Sequence, residues 1–268
     1  MKTEDLKLVV KEKYGEIAKR SLLQTDASCC GPAACCDENF DAAIFVDTYS
    51  TLEGYNPDAD LKLGCGMPTE FAGIKSGDSV LDLGSGAGND CFVARKLVGD
   101  KGKVTGLDFT DEMIEKARKN VKKTGFKNID FVKGDIENMP LPENEFDVVI
   151  SNCVLNLVPD KEKAFKETYR VLKPGGHFCV SDVVIKGELP KAIRKSAEMY
   201  VGCIAGAEKK EDYLEIIKKA GFSTITVFKE EHSLLPDSLV KELLSEKEYK
   251  QYKNGEFGTI NITVSGTK

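Results

Sequence analysis

Cysteine is the residue type that offers this chain most of its chemistry, because the chain has nine cysteines and only two histidines. Three cysteines stand in separate segments: Cys65 between two glycines, Cys153 after an apolar run, and Cys203 in a glycine-containing stretch. Thiolates are soft ligands that bind thiophilic ions. If these segments meet above the carboxyl ends of the strands, where open α/β sheets bind ligands, three thiols would lie together there, although a single cysteine is more often buried or incidental.

A loop near the start of the chain carries four more cysteines between residues 28 and 36, where glycine and proline break any regular structure. They are Cys29, Cys30, Cys35 and Cys36. Four thiolates suit Zn²⁺, but two adjacent pairs depart from the usual zinc spacing. The odd total argues against a disulfide framework. Cys91 and Cys179 lie in apolar surroundings and are predicted to be buried.

A glycine-rich turn joins an apolar strand to the start of a helix over residues 80–90. Gly84, Gly86 and Gly88 let the backbone approach a ligand, and the helix start offers free N–H groups. Asp108 ends the next apolar run, where a carboxylate accepts hydrogen bonds from ribose hydroxyls. The pattern is not the G-x-G-x-x-G of dinucleotide-binding folds, because Asn89 stands where the third glycine would fall.

This loop resembles the first motif of class I S-adenosylmethionine methyltransferases, and later segments follow in the order that the class shows. The resemblance implies that the methionine end of the cofactor lies against the glycines and that the adenosine runs toward the second strand. The implied cofactor-binding residues are Asp82, Gly84, Gly86, Gly88, Asp108, Asp135, Ile136 and Asn152.

Strand-like and helix-like runs alternate through the middle of the chain, which predicts an α/β fold. Strands are predicted at 79–84, 103–108, 129–134, 146–151, 176–184, 223–230 and 258–265. Helices are predicted at 5–23, 68–74, 89–98, 111–124, 160–172, 190–206, 211–220 and 237–253. We expect a Rossmann-like class I methyltransferase sheet, mostly parallel with an antiparallel edge strand, plus an N-terminal helical and cysteine-loop segment and a C-terminal appendage.

Three units are expected along the chain: a helix and cysteine-rich loop (1–60), a methyltransferase domain that binds S-adenosylmethionine and carries the site of Cys65, Cys153 and Cys203 (61–231), and a last helix and strand (232–268). The net charge of −6 speaks against nucleic acid as a partner, because binding to phosphates needs a basic surface. No apolar run approaches the roughly 20 residues of a membrane span, and no signal peptide is apparent. We therefore expect a cytoplasmic protein with no membrane partner.

Four segments together resemble the arsenite methyltransferase family: Gly64-Cys65-Gly66-x-Pro68-Thr69, Leu81 to Gly88, Ser151-Asn152-Cys153-Val154-x-Asn156-Leu157 and Val201 to Ala207. The similarity runs from about residue 6 to at least residue 230. Tyr200 departs from the pattern, since members of the family often have tryptophan there.

The resemblance implies that Cys65, Cys153 and Cys203 bind trivalent arsenic, and that an upstream cysteine, Cys29 or Cys30, takes part. Thiolate-bound arsenic keeps a lone pair, which attacks the methyl group of the cofactor without a general base. Few histidines are then needed. Returning the product to the trivalent state would use a protein thiol pair and an external thiol reductant, thioredoxin or glutathione.

Two other functions are compatible with the sequence. The first is a class I methyltransferase for another small molecule, such as a quinone precursor, in which the cysteines are structural. The second is a protein that binds a metal or sequesters arsenite through its thiols, which the full set of cofactor motifs disfavours.

Overall fold

The computed structural model describes residues 3–25, 49–195, 204, 206–233 and 237–268. Seven strands form one sheet in the order β3-β2-β1-β4-β5-β7-β6. They are β1 (Ser79–Leu83), β2 (Lys103–Asp108), β3 (Ile129–Lys133), β4 (Phe146–Asn152), β5 (Leu172–Lys186), β6 (Ser223–Ser233) and β7 (Gly258–Thr267). The first five are parallel, and the edge strand β6 has only an antiparallel pairing, with β7. The predicted fold class is confirmed.

Helices cover both faces of the sheet, which is why its central strands are nearly continuous apolar runs. Val80 of β1 packs with α3 (Asn89–Val98) and α4 (Asp111–Thr124) on one face. Leu81 and Leu83 point to the other face. There they meet the aromatic cluster of α5 (Lys161–Val171) and α7 (Lys210–Lys219). This alternation fixes the register of β1, because a slip of one residue would exchange its two faces.

Helix α1 (Thr3–Thr25) packs along α4, over the end of the sheet where β1 and β2 finish. Lys11 and Lys19 of α1 form ion pairs with Asp111 at 3.4 Å and with Glu112 at 2.9 Å. The helix was predicted from its apolar spacing. Its position against α4 depends on these partners, which lie about a hundred residues away in sequence.

The C-terminal strand β7 is part of the main sheet, because it lies between β5 and β6 and pairs with both. Its Thr263 hydroxyl lies 2.9 Å from the hydroxyl of Ser181 on β5. A smaller apolar cluster, which includes Ile185 of β5, joins α6 (Lys191–Lys195), α8 (Asp237–Leu243) and α9 (Glu246–Lys253). Residues of the last segment therefore contribute directly to the middle of the fold.

Several predicted boundaries differ from those in the structure. The single helix predicted at 237–253 is wrong, because Ser245 begins a new helix by a capping box with Glu248. The helix that begins at Pro68 ends at Phe71 and forms α2 (Pro68–Phe71). Strand β5 begins at Leu172, where it pairs with Phe146, rather than at 176. Residues 196–203 of the helix predicted at 190–206 lie outside the described part of the chain.

In the part of the chain that the structure describes, there is no helix with the length and apolar character that crossing a membrane requires.

Truncation of Ile262 on β7 is expected to destabilise the whole fold. Ile262 is 1% exposed, and Ile262→Ala should lower the free energy of unfolding by roughly 2–5 kcal/mol, since it removes buried methyl groups and leaves a cavity. Leu97→Ala is the control, because Leu97 is 40% exposed. Urea denaturation compares the two variants. Equal, small effects would show that β7 is not integral to the sheet.

Candidate active site

A pocket opens where β1, β2 and β4 end, which is where open α/β sheets bind ligands. The loops after these strands form its floor, and residues of α1 and of the segment 59–64 form its sides. Lys7, Val10 and Tyr14 of α1 line the pocket. The sequence predicted the floor, but it gave no sign that α1 covers the site.

The glycine-rich loop is held tightly at the end of β1. Gly84 has a φ of 67°, and a Cβ atom there would lie 2.5 Å from the side chain of Val154. The N–H groups of Gly84 and Ser85 both donate to the carbonyl of Leu107 on the neighbouring strand. Gly84 and Gly86 line the pocket, and Gly88 lies at the start of α3 against the ring of Phe131. Glycine is thus required at position 84.

Three buried polar atoms around the pocket have no hydrogen-bond partner in the described structure: Ser85 Oγ, Asn89 Oδ1 and Thr110 Oγ1. A buried polar atom without a partner costs about 1–3 kcal/mol. The amide oxygen of Asn89 can only accept, so a ligand group placed against it must be a donor. The sequence analysis missed these residues, although all of them lie in or beside the predicted motifs.

Asp108, predicted to bind a ribose, lies in the pocket and organises its floor. One carboxylate oxygen accepts the N–H of Gly86 at 3.0 Å and the other accepts the N–H of Thr110 at 2.8 Å. Burial raises the pKa of Asp108 above its ordinary value, and these hydrogen bonds act against that rise. The hydroxyl of Thr110 and the N–H of Phe109 also act on this carboxylate. Because Asp108 lines the pocket, a ribose hydroxyl would have to share or replace one of these donors.

Asp135 and Ile136, predicted to bind the cofactor, also line the pocket. Asp135 accepts the N–H of Glu137 at 2.9 Å and pairs with the ammonium of Lys7 at 2.6 Å. Lys7 also pairs with Glu137. Ile136 is 8% exposed and supplies an apolar surface. The ion pairs of Lys7 hold α1 over the pocket.

Two buried carboxylates, Asp82 and Asp90, lie under the glycine loop. Asp82 accepts the thiol of Cys91 at 3.3 Å, and burial raises its pKa well above the ordinary value. The hydroxyl of Tyr49 donates to Asp90 at 2.9 Å. Burial raises the pKa of Asp90 to about 6, although the hydrogen bonds from Tyr49 and Asn152 lower it. Both carboxyls line the pocket, and a cationic ligand there would stabilise their ionised forms, which burial disfavours.

Asn152, predicted to bind the cofactor, lines the pocket but uses its amide to hold a neighbouring segment. Its oxygen accepts the N–H of Cys65 at 3.0 Å, and its NH₂ donates to the carbonyl of Gly66 at 2.7 Å. Through these two bonds the end of β4 fixes the segment that carries Cys65.

The thiols of Cys65 and Cys153 lie close together, with the carboxylate of Asp182 beside them. Their ligand atoms are all within 4.8 Å of one another, and the three residues are buried. Cys153 follows β4 with a φ of 58°, which few residues other than glycine adopt. Such strained residues concentrate at functional sites. Cys153 lines the pocket, so this thiol cluster adjoins the pocket of the glycine loop.

The glycines beside Cys65 are explained by close packing rather than by the open backbone that the sequence suggested. A Cβ at Gly64 would lie 2.7 Å from the amide of Asn152, and one at Gly66 would lie 2.6 Å from the side chain of Ser181. A larger residue at position 64 or 66 would force a shift of Asn152 or Ser181, the two side chains that pack against this segment.

Three predicted site cysteines, Cys29, Cys30 and Cys203, lie outside the described residues. Cys91 and Cys179 are fully buried, as predicted. His177 lies on β5 with its Nε2 2.6 Å from the carbonyl of Ala72, and His232 is exposed. Asp182 and Tyr213 beside the thiols were not foreseen, because no local motif marks them.

Known proteins match both the fold and the motifs. Residues 74–221 match the family model described as a methyltransferase domain. The chain is 39% identical over 246 residues to the arsenite methyltransferase of Halobacterium salinarum, which covers 86% of this chain and 60% of that protein. It is 32% identical over 249 residues to the arsenite methyltransferase of Aquipseudomonas alcaligenes, which covers 90% of this chain and 68% of that protein.

A solved structure agrees with these sequence matches. The crystal structure of an arsenic(III) S-adenosylmethionine methyltransferase from Chlamydomonas reinhardtii aligns with a TM-score of 0.66 at 37% identity. The alignment covers 76% of this chain and 67% of that one. The chain thus spans about two thirds or less of the length of these relatives.

Asp90 should make the stability of the protein depend on pH in a defined direction. Its pKa is about 6 in the folded state against 3.8 as the ordinary value, so the folded state holds the proton more tightly. Its contribution to stability is therefore lost as the pH rises from about 4 to about 6. Over this interval, the free energy of unfolding of Asp90→Asn should rise by roughly 3 kcal/mol relative to that of the wild type. Urea denaturation at each pH measures this. A difference that stays constant with pH would contradict the assignment.

Proposed function

Since this chain belongs to the arsenite methyltransferase family, we propose that it transfers methyl groups from S-adenosylmethionine to trivalent arsenic held by protein thiolates. The observation that carries the proposal is the position of the thiols of Cys65 and Cys153. They lie together at the end of the sheet, next to the pocket of the glycine loop. A third thiolate would come from Cys203.

The described residues fit S-adenosylmethionine. Its amino-acid end offers an ammonium donor and carboxylate acceptors, which would satisfy Asn89 and Ser85 at the glycine loop. Its cationic groups suit the buried carboxyls of Asp82 and Asp90, which line the pocket. The ribose would meet Asp108, and the adenine would lie between Asp135 and Ile136. When bound, the cofactor supplies a methyl group that its sulfonium makes electrophilic.

The thiol cluster can prepare arsenite without a general base. Each thiol that binds arsenic gives its proton to a hydroxide of arsenite, which leaves as water. Arsenic held by three thiolates keeps a lone pair, which is the nucleophile. Val10 of α1 and Leu157 belong to the same buried apolar cluster as Cys65 and Cys153, so the thiols lie in a largely apolar environment. The contribution of the protein is mainly to position arsenic against the methyl group.

The thiols at the start of the chain have a proposed role in turnover. After methyl transfer the arsenic is formally pentavalent, and two protein thiolates would reduce it to the trivalent state by giving up two electrons and forming a disulfide. Cys29 or Cys30 would supply one of these thiolates, and thioredoxin or glutathione would then reduce the disulfide. The cytoplasmic location that the sequence predicts would supply these reductants.

Arsenic speciation tests the proposed function. The protein is incubated with S-adenosylmethionine, arsenite and a thiol, and the arsenic species are separated by chromatography and counted by mass spectrometry. We expect methylated arsenic together with an equal amount of S-adenosylhomocysteine per methyl group. If S-adenosylmethionine binds but arsenite gives no methylated product, a methyltransferase for another small molecule is the better assignment.

Asp108→Ala should weaken the binding of S-adenosylmethionine by roughly 1–3 kcal/mol, because hydrogen bonds to a charged group are lost and the loop at Gly86 loses its anchor. Isothermal titration calorimetry gives the affinity. Asp130→Ala is the matched control, an exposed carboxylate on the next strand. Unchanged affinity in Asp108→Ala would remove the main support for the ribose assignment.

Losing one thiolate should affect two substrates unequally. Arsenite offers three positions to thiolates, but methylarsenite offers two, because a methyl group holds the third. Cys65→Ser should therefore lose most activity on arsenite and keep substantial activity on methylarsenite, whereas Cys153→Ser and Cys203→Ser should lose both. Cys179→Ser is the control, a buried thiol elsewhere on the sheet. Equal losses on both substrates for Cys65→Ser would refute the ligand count.

A further inference from the structure

Two thiols and one carboxylate form a compact donor set at the end of the sheet. The ligand atoms of Cys65, Cys153 and Asp182 all lie within 4.8 Å of one another. An ion at the centre of a triangle with edges of that length would lie at most about 2.8 Å from each donor, against about 2.3 Å for Zn–S and about 2.0–2.2 Å for Zn–O. Small side-chain rotations close this gap.

The chemistry of the third donor distinguishes between ions. Zn²⁺ and the larger Cd²⁺ accept thiolates and carboxylates together, and a zinc site with three protein ligands keeps one position open. Trivalent arsenic is thiophilic and needs a third sulfur, for which Asp182 is a poor substitute. The described donors, two sulfurs and one oxygen, therefore suit a divalent cation better than arsenic. Cys153 lines the pocket, so the open position would face it.

Asp182 is held as a ligand carboxylate usually is, by hydrogen bonds from residues behind it. One oxygen accepts the N–H of Val183 at 3.0 Å, and the other accepts the hydroxyl of Tyr213 at 3.1 Å. Asp182 is 1% exposed and Tyr213 is fully buried. The backbone N–H of Asn156 also donates to this carboxylate. These bonds fix the carboxylate beside the thiols and leave at least one of its lone pairs for an ion.

The negative charge of these three donors also favours a divalent cation. Once the two thiols have released their protons to solvent on binding a metal, two thiolates and a carboxylate carry three negative charges in a buried place, and the nearby ammonium of Lys161 offsets only one of them. Buried charges need a partner of opposite sign or a metal ion. A divalent cation neutralises most of that charge.

We infer that Cys65, Cys153 and Asp182 form a binding site for one thiophilic divalent cation, Zn²⁺ or Cd²⁺, which shares its two thiols with the arsenic substrate. The cation then competes with arsenite. Only this competition depends on the proposed function; the cation site does not.

Titration with Cd²⁺ tests the site, because each Cd–thiolate bond adds a charge-transfer band in the ultraviolet. The full chain is used with Cys29, Cys30, Cys35, Cys36 and Cys203 replaced by serine, so that these thiols do not contribute. We expect one Cd²⁺ per chain with two thiolates bound. Cys65→Ser in this background should remove half of the band per bound ion. Absence of a band in the background protein would overturn the inference.

Two further variants test the carboxylate. Asp182→Asn should weaken Cd²⁺ binding by at least about tenfold, and Tyr213→Phe, which keeps the ring and removes only the hydroxyl, by roughly 10- to 100-fold. Cys179→Ser is the control and should bind Cd²⁺ as the background protein does. Thermal melting identifies any variant that does not fold. If the folded Asp182→Asn and Tyr213→Phe variants both bind Cd²⁺ as tightly as the background, Asp182 is not a ligand and the inference is wrong.

Competition separates this inference from the proposed function. In the wild-type chain, Cd²⁺ should inhibit methylation of arsenite, and Asp182→Asn should make the enzyme less sensitive to Cd²⁺. Arsenite methylation without Cd²⁺ binding would refute the cation site and leave the proposed function standing. One Cd²⁺ on Cys65, Cys153 and Asp182 in a protein that does not methylate arsenite would support the site and refute the proposed function.

Discussion

The amide of Asn152 is the link on which the arrangement of the site depends. It lies at the end of β4 and binds the backbone on both sides of the Cys65 side chain. Glycines at 64 and 66 allow that approach, and Ser181 on β5 packs against Gly66. Because Cys153 directly follows Asn152, the same contact brings two thiols together from segments 88 residues apart. The rigid sheet thus holds a pair that no local interaction would hold.

The second constraint is electrostatic. Asp82, Asp90, Asp108 and Asp182 are buried at one end of the sheet, and burial raises the pKa of each. Such groups cost stability unless hydrogen bonds or a cation compensate them. Backbone N–H groups, Tyr49 and Tyr213 supply part of that compensation. The sulfonium and ammonium groups of S-adenosylmethionine would further compensate the carboxyls of the pocket, and a thiophilic ion would compensate Asp182. The buried acids thus fit both ligands that we propose.

The parts of the site that the sequence predicted are those encoded locally. The glycine turn, Asp108 after β2 and Cys153 after β4 each lie at a strand end that apolar patterning identifies, and parallel strands bring such ends to one edge. The break between α8 and α9 also has a local signal, Ser245 followed by Glu248, which the analysis of the sequence overlooked.

Other contacts had no signal in the sequence, because they join residues far apart in the chain. Lys7 reaches Asp135 across 128 positions, and Tyr213 reaches Asp182 across 31. Helical periodicity predicts that α1 exists but not that it covers the pocket. These contacts, and the placement of α1, come from tertiary packing, in which a polar side chain on one element satisfies a polar group on another.

X-ray absorption at the arsenic edge tests the central claim most directly, because it counts the sulfur atoms bound to arsenic. The full chain with Cys29, Cys30, Cys35 and Cys36 replaced by serine is loaded with one equivalent of arsenite. We predict three sulfur neighbours, and two when Cys65, Cys153 or Cys203 is also replaced by serine. Three sulfur neighbours in every variant, or a first shell of oxygen alone, would contradict the claim that these cysteines hold the substrate.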